Sequence, residues 1–122
     1  HDSALIIFEG HFKRNYIHIK DVVKAFVHAL NNLDNMKSEI FNVGLSDANL
    51  SKLELCNKIK KHIPGFTFVE EKLKKDPDQR NYIVSNEKIE KTGFKPDCSL
   101  SDGIEELIKG YSMIKNQNFG NF

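Results

Sequence analysis

The 122 residues suffice for one domain, and 18 basic against 17 acidic side chains leave a net charge of +1. That balance gives no electrostatic basis for binding nucleic acid or an anionic membrane, and no apolar run approaches the roughly 20 residues of a membrane span. Two cysteines in unrelated contexts favour a reduced, cytoplasmic setting, and the five histidines lack the spacing of metal ligands.

The first half of the chain predicts strands that alternate with a helix. Residues 4–10, ALIIFEG, read as a short apolar strand, and residues 15–19, NYIHI, alternate with the period of two that is typical of a strand. Asp21 is the predicted N-cap of a helix whose apolar positions fall within residues 22–30. Residues 39–44, EIFNVG, predict a strand that is apolar on both faces except at one asparagine, which suits a buried parallel strand. Because such a strand needs cover on both faces, it is the first indication that the chain is part of something larger.

Capping residues mark three further helices. Ser51 and Glu54 have the spacing of a capping box, in which each side chain satisfies a free amide group of the other residue. Asn86 can begin a short helix that ends at Gly93, and Ser101 can cap the last helix.

Strands and helices therefore interleave along the chain. Residues 66–70 and 81–85 add two short extended segments on either side of a polar loop. The predicted class is α/β, or α+β for an isolated piece, with short strands and about four helices. We predict one domain over residues 1–115 and a polar tail over residues 116–122.

Tyr16 and Lys20 have the Tyr-x-x-x-Lys spacing of the catalytic pair in short-chain dehydrogenases. The chemistry needs the ammonium group beside the phenol, which a helix supplies because residues four apart lie about 6 Å from each other. On a strand the same four residues span roughly 13 Å. Since the alternation around Tyr16 favours a strand, we interpret the pair as a coincidence and assign no catalytic residue.

Several segments, taken together in their order, resemble one family. They read RNYIHIKDVVKAFVHAL, EIFNVG, LSKLELCNKI and DPDQRNYIVSNEKIEKTGFKP followed by SLSDGIEELI. In this order they resemble the C-terminal, substrate-binding part of the extended short-chain dehydrogenases, the NAD(P)-dependent nucleoside-diphosphate-sugar epimerases and dehydratases. The resemblance covers residues 5–111 and implies the C-terminal portion of a Rossmann-type enzyme. The family binds NAD or NADP through a Gly-rich turn, and no Gly-x-x-Gly-x-x-Gly occurs here, so we expect neither cofactor binding nor catalysis from this chain.

The resemblance also implies substrate-binding residues. Arg14 opens the segment whose arginine contacts the diphosphate in the family, although Asn15 replaces the usual aspartate. Arg80 is the best match to a second basic contact, Tyr82 is a candidate for the sugar pocket, and residues 74–76, KKD, stand where the family often has Arg-x-Gly-Asp. Planar guanidinium groups suit a diphosphate because they can bind it bidentately. The alternative is that both arginines are ordinary surface residues in weak ion pairs.

The predicted function is therefore the substrate-binding portion of an NAD(P)-dependent epimerase or dehydratase. Its expected partners are a nucleoside-diphosphate sugar and an N-terminal Rossmann domain, which would cover the strand at 39–44 and the helix at 22–30. The same apolar surface favours self-association of the fragment. The alternative is a free-standing small α/β binding or interaction module without catalysis.

Overall fold

The computed structural model describes residues 4–73 and 77–114, and within them four short strands form two separate two-stranded sheets. The strands are β1 (Leu5–Phe8), β2 (Lys13–Asn15), β3 (Asn49–Ser51) and β4 (Phe68–Glu71). β1 pairs in parallel with β4, and β2 pairs antiparallel with β3, which places Arg14 opposite Leu50.

Helices alternate with these strands along the chain. They are α1 (Ile19–Asn31), α2 (Leu33–Met36), α3 (Lys52–His62), α4 (Glu87–Glu90) and α5 (Leu100–Met113). The mixture of short strands and helices confirms the predicted α/β class. None of the helices in the described ranges is long and apolar enough to cross a membrane.

Two local predictions are confirmed in detail. Ser51 and Glu54 form the capping box of α3, with Ser51 Oγ accepting from Glu54 N at 3.1 Å and Glu54 Oε2 accepting from Ser51 N at 2.7 Å. These hydrogen bonds from Ser51 lower the pKa of the Glu54 carboxyl. Gly93 follows α4 with a φ of +92°, a conformation that glycine adopts without a steric cost.

The predicted strand over residues 15–19 is wrong. β2 ends at Asn15, and α1 begins at Ile19 with His18 as its N-cap, where His18 Nδ1 accepts a hydrogen bond from Lys20 N at 3.1 Å. Tyr16 thus precedes the helix that contains Lys20, and the two residues do not share a helical turn. An alternating pattern of apolar residues reports which side chains are buried, and an irregular segment can bury them as well as a strand can.

Asp21 is the third residue of α1 and does not cap it, contrary to the sequence prediction. Its side chain is 1% exposed, and its two carboxylate oxygens accept hydrogen bonds from Asp97 N at 2.8 Å and Cys98 N at 3.0 Å. Asp21 therefore fastens α1 to the segment that leads into α5.

Residues 39–44 and 81–85 form no strand, which corrects two further predictions. Side-chain amides form hydrogen bonds with backbone groups next to these segments, in place of the hydrogen bonds that a neighbouring strand would make. Asn15 Nδ2 donates to Leu45 O at 2.8 Å and Asn15 Oδ1 accepts from Leu45 N at 2.9 Å. Asn49 makes the equivalent pair of 2.9 Å contacts with Val84. The apolar composition at 39–44 nevertheless fits a strand whose partner lies outside this chain.

The N-cap of α5 is Ser99 and not the predicted Ser101. Ser99 Oγ accepts from Asp102 N at 3.1 Å, and Asp102 Oδ2 accepts from Ser99 N at 2.8 Å, which completes a capping box. Ser101 Oγ lies instead 3.0 Å from His62 Nε2. The hydrogen bonds from Ser99 lower the pKa of the Asp102 carboxyl.

We expect Ser99→Ala to lower the free energy of unfolding by about 1 kcal/mol, because it removes the cap of α5. Ser101→Ala is the matched control and should change stability by less than about 0.5 kcal/mol. Urea denaturation at neutral pH measures both. The difference between wild type and Ser99→Ala should shrink as the pH falls through the lowered pKa of Asp102, because a carboxyl with a lowered pKa stabilises the folded state only while it is ionised. Equal losses from both substitutions would contradict Ser99 as the cap.

The core lies where α1, α2 and α4 meet. Ala25, Met36, Ile89 and Phe94 are buried there, and Ala29 and Phe41 pack against them. The other face of α1 is exposed although it is apolar, and it comprises Ile19, Val23, Phe26, Val27 and Leu30. We call these five residues the α1 apolar face.

Candidate functional site

The only two arginines of the chain meet at one carboxylate. Arg80 contacts Asp78 bidentately, with Nε 2.7 Å from Oδ1 and Nη2 2.7 Å from Oδ2. Arg14 Nη2 lies 3.2 Å from the same Oδ2 atom. The structure thus brings together two residues that are 66 positions apart and that the sequence marked separately.

β2 and the segment beside it position these side chains. Residues 78–82 run next to β2, where Lys13 N donates to Asn81 Oδ1 at 2.9 Å and Tyr82 N donates to Lys13 O at 3.3 Å. These two contacts set Tyr82 beside β2 and place its ring against Arg14, with 5.2 Å between the guanidinium carbon and the ring centroid. All three predicted site residues therefore belong to one cluster. Residues 74–76 lie outside the described residues.

Arg14 is held firmly. Its side chain is 14% exposed, its Nη1 donates to Lys13 O at 2.9 Å, and the Tyr82 ring lies against its guanidinium group. The Arg80 side chain is 73% exposed. A buried, multiply contacted cation keeps its orientation, whereas an exposed one can follow a ligand.

The electrostatics of the cluster favour an anion. Hydrogen bonds from the Arg80 side chain hold the pKa of the Asp78 carboxyl well below its usual range, and the backbone of Arg80 and the side chain of Arg14 lower that pKa further. The pKa of Arg80 is raised by the same hydrogen bond. Two guanidinium groups and one carboxylate leave a net charge of +1, which can attract a phosphate group.

Asp78 is the member of the cluster that sequence reasoning missed. Its place two residues before Arg80 was a usable signal, because such spacing allows a local ion pair in an irregular segment. Its contact with Arg14 had no signal in the sequence.

The structure explains why residue 15 is an asparagine and not the aspartate of the motif that the sequence resembles. Its amide donates to Leu45 O and lies 3.1 Å from Asn49 Oδ1, which also accepts. An aspartate has only acceptors and would place a negative charge against both oxygens. Asn15 therefore serves the packing beside β2 and makes no ion pair with Arg14.

A concave surface lies apart from this cluster, between the residues that precede α1 and the helices α3 and α5. It is an apolar groove of about 940 Å³ that Tyr16, Leu55, Ile59, Ile104 and Tyr111 help to line. Burial raises the pKa of the Tyr16 phenol, whereas a catalytic tyrosine needs a lowered pKa. Ile104, Leu107 and Tyr111 of α5 all contribute to this groove.

The described residues do not fit a dinucleotide cofactor. Such a cofactor needs a glycine-rich turn that leads from a strand into a helix, where backbone amides reach the pyrophosphate. The described glycines lie elsewhere: Gly10 precedes β2, Gly44 lies in an irregular segment, Gly65 and Gly93 follow α3 and α4, and Gly103 and Gly110 lie within α5. Within the described parts of the chain, no group of three or more histidine, cysteine or acidic side chains is placed to hold a metal ion.

Comparison with known proteins indicates one family. The profile of the NAD dependent epimerase/dehydratase family matches residues 2–44. A provisionally named UDP-glucose 4-epimerase of Methanocaldococcus jannaschii is 32% identical over 118 residues, which are 95% of this chain and 35% of that protein. The chain is therefore similar to the NAD-dependent epimerase/dehydratase family. This similarity confirms the resemblance predicted from the sequence.

Solved structures of the family share its fold. UDP-glucuronic acid 4-epimerase from Bacillus cereus, in complex with UDP-glucuronic acid and NAD, is 29% identical with a TM-score of 0.72 over 89% of this chain and 36% of its own. UDP-glucose 4-epimerase from Thermotoga maritima, solved with UDP-glucose, is 21% identical with the same TM-score of 0.72, over 94% and 37% of the two chains. The chain thus spans about a third of the length of the family members it matches.

Proposed function

We propose that this chain is the substrate-binding portion of a sugar-nucleotide epimerase or dehydratase, and that Arg14 and Arg80 bind the diphosphate of the substrate. The observation that carries the proposal is the convergence of two guanidinium groups on one oxygen of Asp78. A phosphoryl oxygen accepts hydrogen bonds from guanidinium groups in the same way as a carboxylate oxygen does. Tyr82, which lies against Arg14, is the proposed neighbour of the sugar.

The complementary part of the enzyme is the proposed partner of the apolar surface. Ile40, Val43 and the α1 apolar face are exposed although such side chains suit a protein interior, and residues 39–44 pair with no strand within the described part of the chain. Family members are about three times as long as this chain, which leaves room for a Rossmann domain that binds NAD or NADP. Without that domain, the same surface should promote self-association.

A reducing compartment is proposed as well. Cys56 and Cys98 are both unpaired thiols. Free cysteines are typical of cytoplasmic proteins, which supports a cytoplasmic location.

We expect Arg14→Ala, made in the protein joined to a cofactor domain, to weaken sugar-nucleotide binding by roughly ten- to a hundredfold. A charge-assisted hydrogen bond contributes about 1.5–3 kcal/mol, which corresponds to that range of dissociation constants. Arg80→Ala should have a smaller effect, below about tenfold, because its side chain is largely exposed. Isothermal titration calorimetry with UDP-glucose and UDP-glucuronic acid measures both variants.

Lys91→Ala is the matched control for the loss of one positive charge. Lys91 pairs with Glu87 on the surface of α4 and belongs to no part of the cluster. Its dissociation constants should equal those of the wild type. An Arg14→Ala protein that binds sugar nucleotides as tightly as this control would overturn the proposed site.

A further inference from the structure

The segment that carries Arg80 and Tyr82 belongs to no helix or strand. Residues 78–84 come between β4 and α4 in the chain, and none of them is part of a regular element. Such a segment gains a fixed place only from contacts with its neighbours. The position of Arg80 relative to Arg14 therefore depends on what holds these residues beside β2 and β3.

Asn49 of β3 binds this segment through its side chain. Its Nδ2 atom donates to Val84 O at 2.9 Å, and its Oδ1 atom accepts from Val84 N at 2.9 Å. Two opposed hydrogen bonds with one residue are the pattern by which antiparallel strands exchange their N–H and C=O groups. The amide of Asn49 thus does for Val84 what the backbone of a neighbouring strand would do.

The same side chain also reaches the strand that carries Arg14. Asn49 Oδ1 accepts a second hydrogen bond, from Asn15 Nδ2 at 3.1 Å, and Asn15 lies opposite Asn49 in the antiparallel register of β2 and β3. Asn15 directly follows Arg14, and Val84 comes four residues after Arg80. One amide group therefore connects the two segments from which the guanidinium groups converge.

The other contacts that hold the segment are longer or more exposed. Tyr82 N donates to Lys13 O at 3.3 Å, and the 2.9 Å bond from Lys13 N to Asn81 Oδ1 is exposed. Arg14 Nη2 contacts the start of the segment, 3.2 Å from Asp78 Oδ2 and 3.5 Å from Asp78 O. Water competes less with partly buried hydrogen bonds than with exposed ones. The partly buried amide pair described above is therefore the main restraint on the end of the segment.

We propose, resting on the diphosphate site proposed above, that Asn49 is a positioning residue for the substrate. It does not contact the diphosphate; its amide fixes the segment so that Arg80 and Tyr82 stand beside Arg14 before the ligand arrives. Groups that are already in place bind more tightly, because the ligand does not have to order them. Loss of this amide should weaken the binding of a diphosphate even though both guanidinium groups are retained.

Asn49→Ala tests this role by nuclear magnetic resonance titration of the 122-residue chain with UDP, since its two arginines give only two side-chain Nε–H signals. We expect the dissociation constant to rise by about two- to fivefold, the factor that corresponds to one exposed ion pair. In an Arg80→Ala background the same substitution should add less than about 1.5-fold, because effects that run through one residue are not additive. Uridine, which has no phosphate, should move neither signal.

A second measurement needs no ligand. The Tyr82 ring centroid lies 5.2 Å from the guanidinium carbon of Arg14, and an aromatic ring shifts the signals of nearby protons. A Tyr82→Leu variant shows where the Arg14 signal lies without the ring. The Arg14 signal of Asn49→Ala should move towards that position, because the segment no longer keeps the ring in place.

Asn42→Ala is the matched control. Asn42 Nδ2 also donates to the backbone of this part of the chain, at Ser85 O, but the contact is exposed and 3.4 Å long. The variant should bind UDP as the wild type does, and its Arg14 signal should stay in place.

Asn49→Asp is the second variant. It keeps an acceptor for Val84 N and lacks the donor to Val84 O, so it should weaken UDP binding in the same direction as alanine. Asn57→Asp, at an exposed position of α3, is the control for the added charge and should leave the dissociation constant unchanged. Thermal unfolding confirms that each variant is folded.

The outcomes separate this inference from the proposed function. If Arg14→Ala and Arg80→Ala weaken UDP binding but Asn49→Ala binds UDP as tightly as Asn42→Ala, the positioning role is refuted and the diphosphate site stands. An equal loss from Asn49→Ala with and without Arg80 also refutes the positioning role. If UDP at millimolar concentration moves neither arginine signal of the wild type, both are refuted. A loss that disappears in the Arg80→Ala background, together with the shifted Arg14 signal, supports both.

Discussion

Replacing Asp21 by alanine is expected to lower the free energy of unfolding by about 2–6 kcal/mol. The substitution leaves the partly buried amides of Asp97 and Cys98 without their acceptors, and each hydrogen bond to a carboxylate contributes about 1–3 kcal/mol. Because these contacts join α1 to the segment before α5, the loss should appear as a lower midpoint in urea denaturation followed by circular dichroism.

Asp97→Ala is a stringent control, since the two residues are in direct contact. The Asp97 carboxylate is exposed and pairs with Lys24 at 2.5 Å, and the substitution leaves its amide bonded to Asp21. We expect a loss below about 1 kcal/mol, which is typical of a surface ion pair. Comparable losses from both variants would show that the Asp21 carboxylate has no special part in joining these segments.

Gly44→Ala is expected to destabilise the protein by about 2–4 kcal/mol. A Cβ atom at this position would overlap with Asn15 Oδ1, and it would lie 3.0 Å from Asn86 Oδ1, which is tighter than most contacts of a Cβ atom. Asn15 would have to move and would give up its two hydrogen bonds with Leu45. Differential scanning calorimetry should show the lower transition temperature.

Gly110→Ala makes the same substitution at another position, and we expect the opposite effect on stability. Nothing lies within 4 Å of a Cβ atom at Gly110, and the residue is inside α5. Alanine there should stabilise the protein by about 0.5–1 kcal/mol, because alanine has the higher helix propensity. If Gly44→Ala were as stable as wild type, close packing around Asn15 could not be the reason for the glycine.

The sequence predicted those features that neighbouring residues determine. The capping box of Ser51 and Glu54 needs residues only three apart, and the turn at Gly93 needs a single residue with a positive φ. β1 and β4 were predicted from short apolar runs, although their parallel pairing was not. Such local signals predict that a strand or helix forms, but they do not predict which element packs beside it.

Features that depend on distant residues were missed. Asp21 has the residue type of an N-cap, but its partners lie 76 and 77 positions away and no local pattern marks them. The apolar residues at 39–44 predicted a buried strand, yet Ile40 and Val43 are exposed and a strand forms only beside a partner strand. The described part of the chain offers those residues none.

The candidate site was predicted in pieces. Arg14, Arg80 and Tyr82 came from the resemblance to the family, and the structure places all three in one cluster. The carboxylate that joins the two arginines was not foreseen, because the contact between Asp78 and Arg14 spans 64 residues. Their role in binding a diphosphate is still a prediction.

For protein engineering, the Asn15 amide makes its position an exception to consensus design. Replacing a residue by the one that is commonest among relatives is a standard route to higher stability. If the family motif that the sequence resembles were followed, position 15 would become an aspartate, which cannot donate to the Leu45 carbonyl or to Asn49 Oδ1. A consensus library built on this chain should therefore keep asparagine at position 15, or change positions 45 and 49 together with it.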